Sequence, residues 1–386
     1  MLALGDALPN FRVDLGRLDE AAQLVINTTR AAYPSLDVPF HSRWRHFDIN
    51  GFDYWDELDQ AMAWPSAEER ARSAFDLAII SVLLDAGAGP DWKYRYPVSG
   101  ETIRRSEGLA LASLAMFRDC EFSMWPSRPL RVDGSILTDL TEAKIIRGFQ
   151  VSDQNPLAGV AGRTELLRQL GRTVLAAPNI FGLKDTPRPG GLFDHFASIA
   201  NNKRIAAPTI LSELLTHLAP IWPSRLTLGG VALGDCWKHS ALRTSDETNG
   251  LVPLHKLSQW LAYSLIEPLQ WAGIEVTDID GLTGLAEYRN GGLFIDTGVL
   301  VLRDPSAAQR EHTVDSELVV EWRALTVALL DRLAEVVRAR LNMDRETLPL
   351  ARILQGGTWT AGRIIARKLR ADGGPPLKVI SDGTVF

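Results

Sequence analysis

The sequence predicts a mostly α-helical protein, one compact helical unit or two closely packed lobes across residues 1–386. Three observations carry this expectation. Apolar residues recur at helical spacing, most strongly in HTVDSELVVEWRALTVALLDRLAEVVRARL (312–341), where Leu318, Val319, Trp322, Leu325, Leu329, Leu333, Val336 and Val337 cover more than one helical face. Strand-like alternation is confined to LTLGGVALGDCWKH (226–239). The main internal break in composition is the Gly/Pro-rich FGLKDTPRPGGLFD, which places a lobe boundary near 182–194.

The elements follow in order. GRLDEAAQLVINTTRAAY (16–33) is an amphipathic helix, stopped by YPSLDVP because a proline disfavours helix in the residue before it. RWRHFDINGFDYWDELDQAM (43–62) reads as an aromatic cluster at the edge of the core, with a pocket wall as the other reading. Ser66 opens the next helix as an N-cap, with Glu69 completing a capping box, and the helix runs toward Gly87. Asp85 is then a carboxylate near a helix C-terminus, where the macrodipole disfavours it, so a cation, a ligand hydroxyl or the following Gly-rich turn must answer it. A further helix covers 100–122. The turn-rich 124–141 precedes two helices flanking Gln150, Asp153, Gln154 and Asn155, residues suited to capping and turns or to a polar ligand edge. Residues 207–219 are helical. In LQGGTWTAGR the paired glycines mark a turn, or a nest of amides at a helix start.

Composition excludes several classes. Hydrophobic residues make up 46% and charged ones 23%, the balance of an ordinary globular chain. A net charge of −6 argues against a nucleic-acid surface, which needs excess Lys and Arg. No secretory signal or membrane-spanning run is expected, and Cys120 and Cys236 lie too far apart in sequence for a zinc or disulfide motif, so the expected place is the cytoplasm. The seven histidines show no close metal-ligand spacing, and GxSxG, HExxH, Walker and GxGxxG motifs are missing. The chemistry expected is therefore carboxylate-based, with no metal or cofactor.

The candidate site is the stretch 246–300, where charges stand singly among apolar residues. Pro253 suits a first helical turn and Gly273 the helix end, with Pro268 expected to kink or stop it. On that helix Lys256, Gln259, Trp260, Tyr263 and Glu267 fall on one face, a stripe that reads as ligand-facing. Asp278, Asp280, Glu287 and Arg289 follow in a second helix that Gly291–Gly292 should stop. Carboxylates beside Lys and Arg suit cleavage of a C–N bond to a sugar: the ribose gains positive charge as the bond breaks, and a carboxylate stabilises it or activates water. A structural salt-bridge network is the competing reading.

The strings SVLLDAGAGPDWKY, RSEGLALASLAMF, GFQVSDQNPLAG, IWPSR, GLVPLHKLSQWLAYSLIEPL, DGLTGLAEYRNGGLF, VDSELVVEWRALTVALLDRL and LQGGTWTAGR closely resemble the uracil catabolism protein 4 family from about Arg45 to Phe386. The resemblance implies a step in uracil degradation that releases urea from a ribosylurea or its 5-phosphate. HKLSQ, LTGLAEYR and ELVVEWRALTV are more distantly similar to the queuosine-nucleotide glycosidase family. That likeness implies an all-helical fold similar to helix-hairpin-helix DNA glycosylases and metal-free N-glycosidic hydrolysis. It implies a nucleotide pocket lined by Lys256, Glu287, Tyr288 and Arg289 and supported by Glu321 and Arg323, with Glu287 standing where that family is expected to carry Asp. The expected catalytic carboxylates are Glu287, Asp280 and Asp85. The expected partner is a small ribosylated or phosphoribosylated substrate, with no nucleic acid and no membrane.

Overall fold

From Ser73 to Leu83 every residue of the helix Ala67–Leu83 is buried, so this element is a core helix by composition. The computed structural model describes residues 6–97, 99–125, 130–182, 186–223 and 225–380. Within them the protein is mostly α-helical, and the strands form only short two-stranded pairs. No described helix is long and apolar enough to cross a membrane. Chain contacts divide the protein into a unit of residues 6–41, 225–259 and 279–380 and a unit of residues 42–223 and 260–278. The expected boundary near 182–194 falls within the second of these, and its residues 183–185 lie outside the described ones.

The unit of residues 42–223 and 260–278 packs Arg105–Arg118, Leu192–Ile199 and Val160–Ala176 around Ala67–Leu83. Ser66 caps that helix, its hydroxyl accepting the Glu69 N–H at 3.2 Å. Asp76, wholly buried in its middle, accepts from Arg188 Nε at 2.8 Å and from the Gly190 N–H at 2.6 Å, tying the 189–191 turn to the core. Within 43–62, Trp44, Phe47 and Trp55 belong to the core while Phe52 is exposed, and Trp44 packs on Trp55 and Trp271 with centroids 5.0 and 4.9 Å apart.

The unit of residues 6–41, 225–259 and 279–380 is built on Glu317–Leu341, against which Leu18–Ala32 and Tyr288–Asp296 pack. Gly291 and Gly292 do not stop the latter helix; they lie inside it. A Cβ on Gly291 would sit 2.7 Å from Trp322 and from Thr326 Oγ1, so glycine is what lets the two helices meet. The glycines of LQGGTWTAGR serve the same end. Gly356 and Gly357 lie in a π-helical turn, Leu354–Thr358, running directly into the helix Trp359–Leu369 that holds Gly362, and a Cβ on Gly357 would lie 2.4 Å from Val25. The segment is continuous helix, so it offers no amide nest.

The helix Lys256–Trp271 starts after Pro253 and, of the two outcomes expected at Pro268, does not stop there. Pro253 belongs to the strand Leu251–Pro253, paired antiparallel with Cys236–Lys238, and Pro268 sits inside the helix without ending it. Proline removes the hydrogen bond to the carbonyl four residues back. That carbonyl is Ser264, and the Trp44 indole N–H donates to it at 2.7 Å, which supplies the lost partner. Gly273, at φ +79°, closes the helix as expected. Trp44→Phe keeps the ring body but orphans the Ser264 carbonyl, and should cost about 1–3 kcal/mol in urea unfolding; unchanged stability would show that the carbonyl needs no partner.

Candidate active site

Among the centres of buried charge in the described residues, two hold sequence-predicted carboxylates beside an arginine with an unspent donor, one in each unit. The first follows from where Ala67–Leu83 stops. The Asp85 N–H returns to the Val82 carbonyl at 3.1 Å, which holds the Asp85 carboxylate at the unfavourable end of the helix dipole. A cation answers it: Arg43, fully buried, donates through Nη1 to Asp85 Oδ1 at 2.7 Å. Arg43 Nε donates to Ser81 Oγ at 2.7 Å, and the guanidinium lies 5.4 Å from the Trp260 ring centre. Its Nη2 has no hydrogen-bond partner among the described residues. Burial draws Arg43 below the ordinary arginine value, with Asp85 pulling the other way. Arg163 caps the same helix end through the carbonyls of Leu84, Ala86 and Gly87, and burial lowers it to about 10.

The stripe on Lys256–Trp271 is occupied by protein partners along much of its length. Trp260 and Tyr263 are buried. Glu267 accepts from Arg45 Nη2 at 2.6 Å and from Ser42 Oγ at 2.7 Å; burial pushes its carboxyl up, with Arg45 and Ser42 opposing. Gln259 Oε1 accepts the Thr283 N–H at 3.2 Å.

The second centre lies in the unit of residues 6–41, 225–259 and 279–380. Glu287 is the N-cap of Tyr288–Asp296, its two oxygens accepting the Asn290 N–H at 2.7 Å and the Arg289 N–H at 3.0 Å. Arg289 turns its guanidinium over Trp359, 4.2 Å from the ring centre, and lies 5.2 Å from the Tyr288 ring. Arg363 covers the same indole at 4.8 Å. Arg289 is buried, yet its Nη2 has no hydrogen-bond partner among the described residues, and neither has Asn290 Oδ1. A carboxylate and, two residues on, an aromatic-backed cation with a spare donor are groups that can bind an oxygen-rich or anionic ligand.

Other expected residues brace this unit. Asp280 accepts the Leu350 N–H at 2.6 Å through one oxygen and bonds Arg338 through the other, holding Leu350–Ile353 to Glu317–Leu341. Glu321 accepts from the Asn10 side chain at 2.9 Å, the Phe11 N–H at 2.8 Å and His239 Nε2 at 3.0 Å, so it anchors the strand Phe11–Val13. Arg323 grips Asp235 with both terminal nitrogens at 2.8 Å. Asp235 also takes the Lys256 N–H at 2.9 Å and the Trp237 indole at 2.6 Å, which fixes the start of the Lys256 helix. Arg43, Asp235, Trp359 and Arg363 escaped the sequence reading. A signal existed for Asp235, the acid in the strand-like GDCWKH, but none for its pairing with a residue 88 positions away.

These features define a mostly α-helical protein with an arginine–carboxylate centre buried in each of two units. The chain belongs to the family described as "Protein of unknown function (DUF1688)", whose model matches residues 1–386. It is 40% identical to "Protein urg3" of Schizosaccharomyces pombe, over 100% of this chain and 94% of that protein. It is 36% identical to "Uracil catabolism protein 4" of Lachancea kluyveri, over 98% of this chain and 92% of that one.

Burial alone would raise the Asp235 carboxyl, but Arg323 outweighs it and holds the group down to about 2. Because the folded value lies below the unfolded one, the ionised pair stabilises the fold above about pH 4 and is lost as pH falls toward about 2. Asp235→Asn should be about 3 kcal/mol less stable than wild type at neutral pH. That gap should narrow across the acid window in denaturant titrations; a gap independent of pH would contradict the pairing.

Proposed function

We propose that the protein is an enzyme of uracil catabolism, an N-ribosyl hydrolase that splits a ribosylurea or its 5-phosphate into urea and ribose or ribose phosphate. The relative named for uracil catabolism supports the pathway. The observation that carries the chemistry is the pair of Glu287, held at the helix N-cap by two backbone N–H groups, and Arg289 two residues on, a buried guanidinium backed by Trp359 with a donor unspent.

In this reading water adds to the sugar C1 as the bond to the urea nitrogen breaks. Glu287 faces the growing positive charge of the ribose and takes the proton of the attacking water, whose oxygen bonds C1, and that proton passes on to the leaving nitrogen to complete urea and restore the carboxylate. The two N–H groups on its oxygens hold the carboxylate oriented before substrate arrives. Arg289 and Arg363 hold phosphate or ribose oxygens, with Lys256 adding a further cation and Tyr288 a polar wall. Gln259, Trp260 and Tyr263 shape their helix, Glu321 and Arg323 fix its surroundings, and Asp280 and Asp85 neutralise structural arginines instead of reacting.

Purified protein given ribosylurea or its 5-phosphate should release urea and free sugar in equal amounts. Ammonia without free sugar would transfer the reaction to the amide bonds of the urea group, and no turnover of either compound would remove the enzyme reading. Glu287→Gln keeps one acceptor oxygen, so it should cost about 1 kcal/mol of stability while lowering kcat about 100-fold or more. Near-normal kcat in the folded variant would take the role from Glu287.

A further inference from the structure

The seven histidines show no ligand spacing in sequence, but the fold brings two of them to one carboxylate. His195 stands on Leu192–Ile199; Glu213 and His217 stand four residues apart, hence on one face, of Ala207–His217. Both imidazoles turn Nε2 to the same atom, Glu213 Oε2, at 2.6 Å from His195 and 3.1 Å from His217. The rings lie 5.0 Å apart at 84°, and one donor atom from each of the three residues falls within 4.8 Å of the others. The side chains keep 16%, 26% and 21% of their surface in solvent, which leaves a path for an ion and room for the chains to move.

We propose that His195, Glu213 and His217 form a binding site for a divalent transition-metal ion of the zinc class. Two imidazole nitrogens and one carboxylate oxygen are a donor set that zinc accepts with bonds of about 2.0–2.2 Å, leaving a fourth position for water. Calcium and magnesium favour oxygen-only sets, so the two nitrogens select against them. Tetrahedral bonds of that length set donor atoms about 3.3 Å apart, so the contact of 2.6 Å at His195 must open by about 0.7 Å and that of 3.1 Å at His217 by about 0.2 Å. Small rotations of half-exposed side chains provide that, and the ion replaces the proton each imidazole shares with Glu213. The site uses no residue assigned above to catalysis or substrate binding, so it stands or falls independently of the hydrolase reading.

The test uses untagged full-length protein, stripped with chelator and dialysed, then titrated with zinc chloride against a chromophoric zinc indicator and, separately, with cobalt chloride. One zinc per chain, visible bands of tetrahedral cobalt, and no competition from magnesium or calcium are expected. Glu213→Gln should weaken zinc binding at least as much as the about 10–100-fold that loss of an outer metal partner costs, and His195→Ala with His217→Ala should abolish the cobalt bands. Circular dichroism checks that each variant is folded. Absence of zinc binding by the wild type, or equal zinc binding and cobalt spectra in wild type and folded variants, would overturn the site.

Discussion

Burying guanidinium groups is the constraint to which much of this structure answers. Arg43, Arg163, Arg188 and Arg323 are almost wholly removed from solvent, and an unanswered charge in such a place costs several kcal/mol. The answers differ in kind. Arg188 is met by Asp76 and Glu69, and Arg323 by the two oxygens of Asp235. Arg163 uses the carbonyls at a helix end. Arg43 is met by Asp85, and Arg289 by the face of Trp359, and each retains one N–H without a partner among the described residues. A bound molecule could take up the N–H that each of these two leaves.

Close approach of backbones is the second organising fact. Gly291 lets Tyr288–Asp296 lie against Trp322, and Gly362, whose Cβ would meet the Arg289 carbonyl at 2.3 Å, lets Trp359–Leu369 lie against the same helix. The second contact is what brings the Trp359 indole under the Arg289 guanidinium. Residues with no chemistry of their own thus set the spacing of the proposed pocket, and a π-helical turn just before Trp359 sets the phase of that indole. Such turns inside longer helices often accompany functional sites.

Much of the helical architecture was legible because it rests on local periodicity: Leu18–Ala32, Ala67–Leu83 and Glu317–Leu341 fall within the segments whose apolar spacing predicts them. The need for some partner at Asp85 was legible from the helix dipole, but not that the partner is Arg43. What escaped depends on distant partners. Glycine pairs read locally as stops, but inside Tyr288–Asp296 and at Leu354–Thr358 they are contact points, which only the facing helix reveals. Pro268 read as a kink or a stop, and Trp44, more than 200 positions earlier, supplies the carbonyl partner that lets the helix run on past it. Gln150 and Asn155 read as turn residues, yet their amides pair with the backbone of Arg95 and Lys93, extending a strand edge by side chains. The charges of 246–300 were visible, but not that Asp280 and Glu267 are satisfied by arginines outside the stretch.

In the proposed reaction the bond broken is the one between sugar carbon and nitrogen, at a ribose that gains positive charge. The most direct measurement is the rate ratio for substrate carrying hydrogen or deuterium on the sugar C1, with urea release as the readout. Hydrolysis through an oxocarbenium-like transition state predicts a normal secondary isotope effect, the protium compound reacting faster. A ratio of one, with ammonia as the product, would contradict the account and move the reaction to the urea carbon.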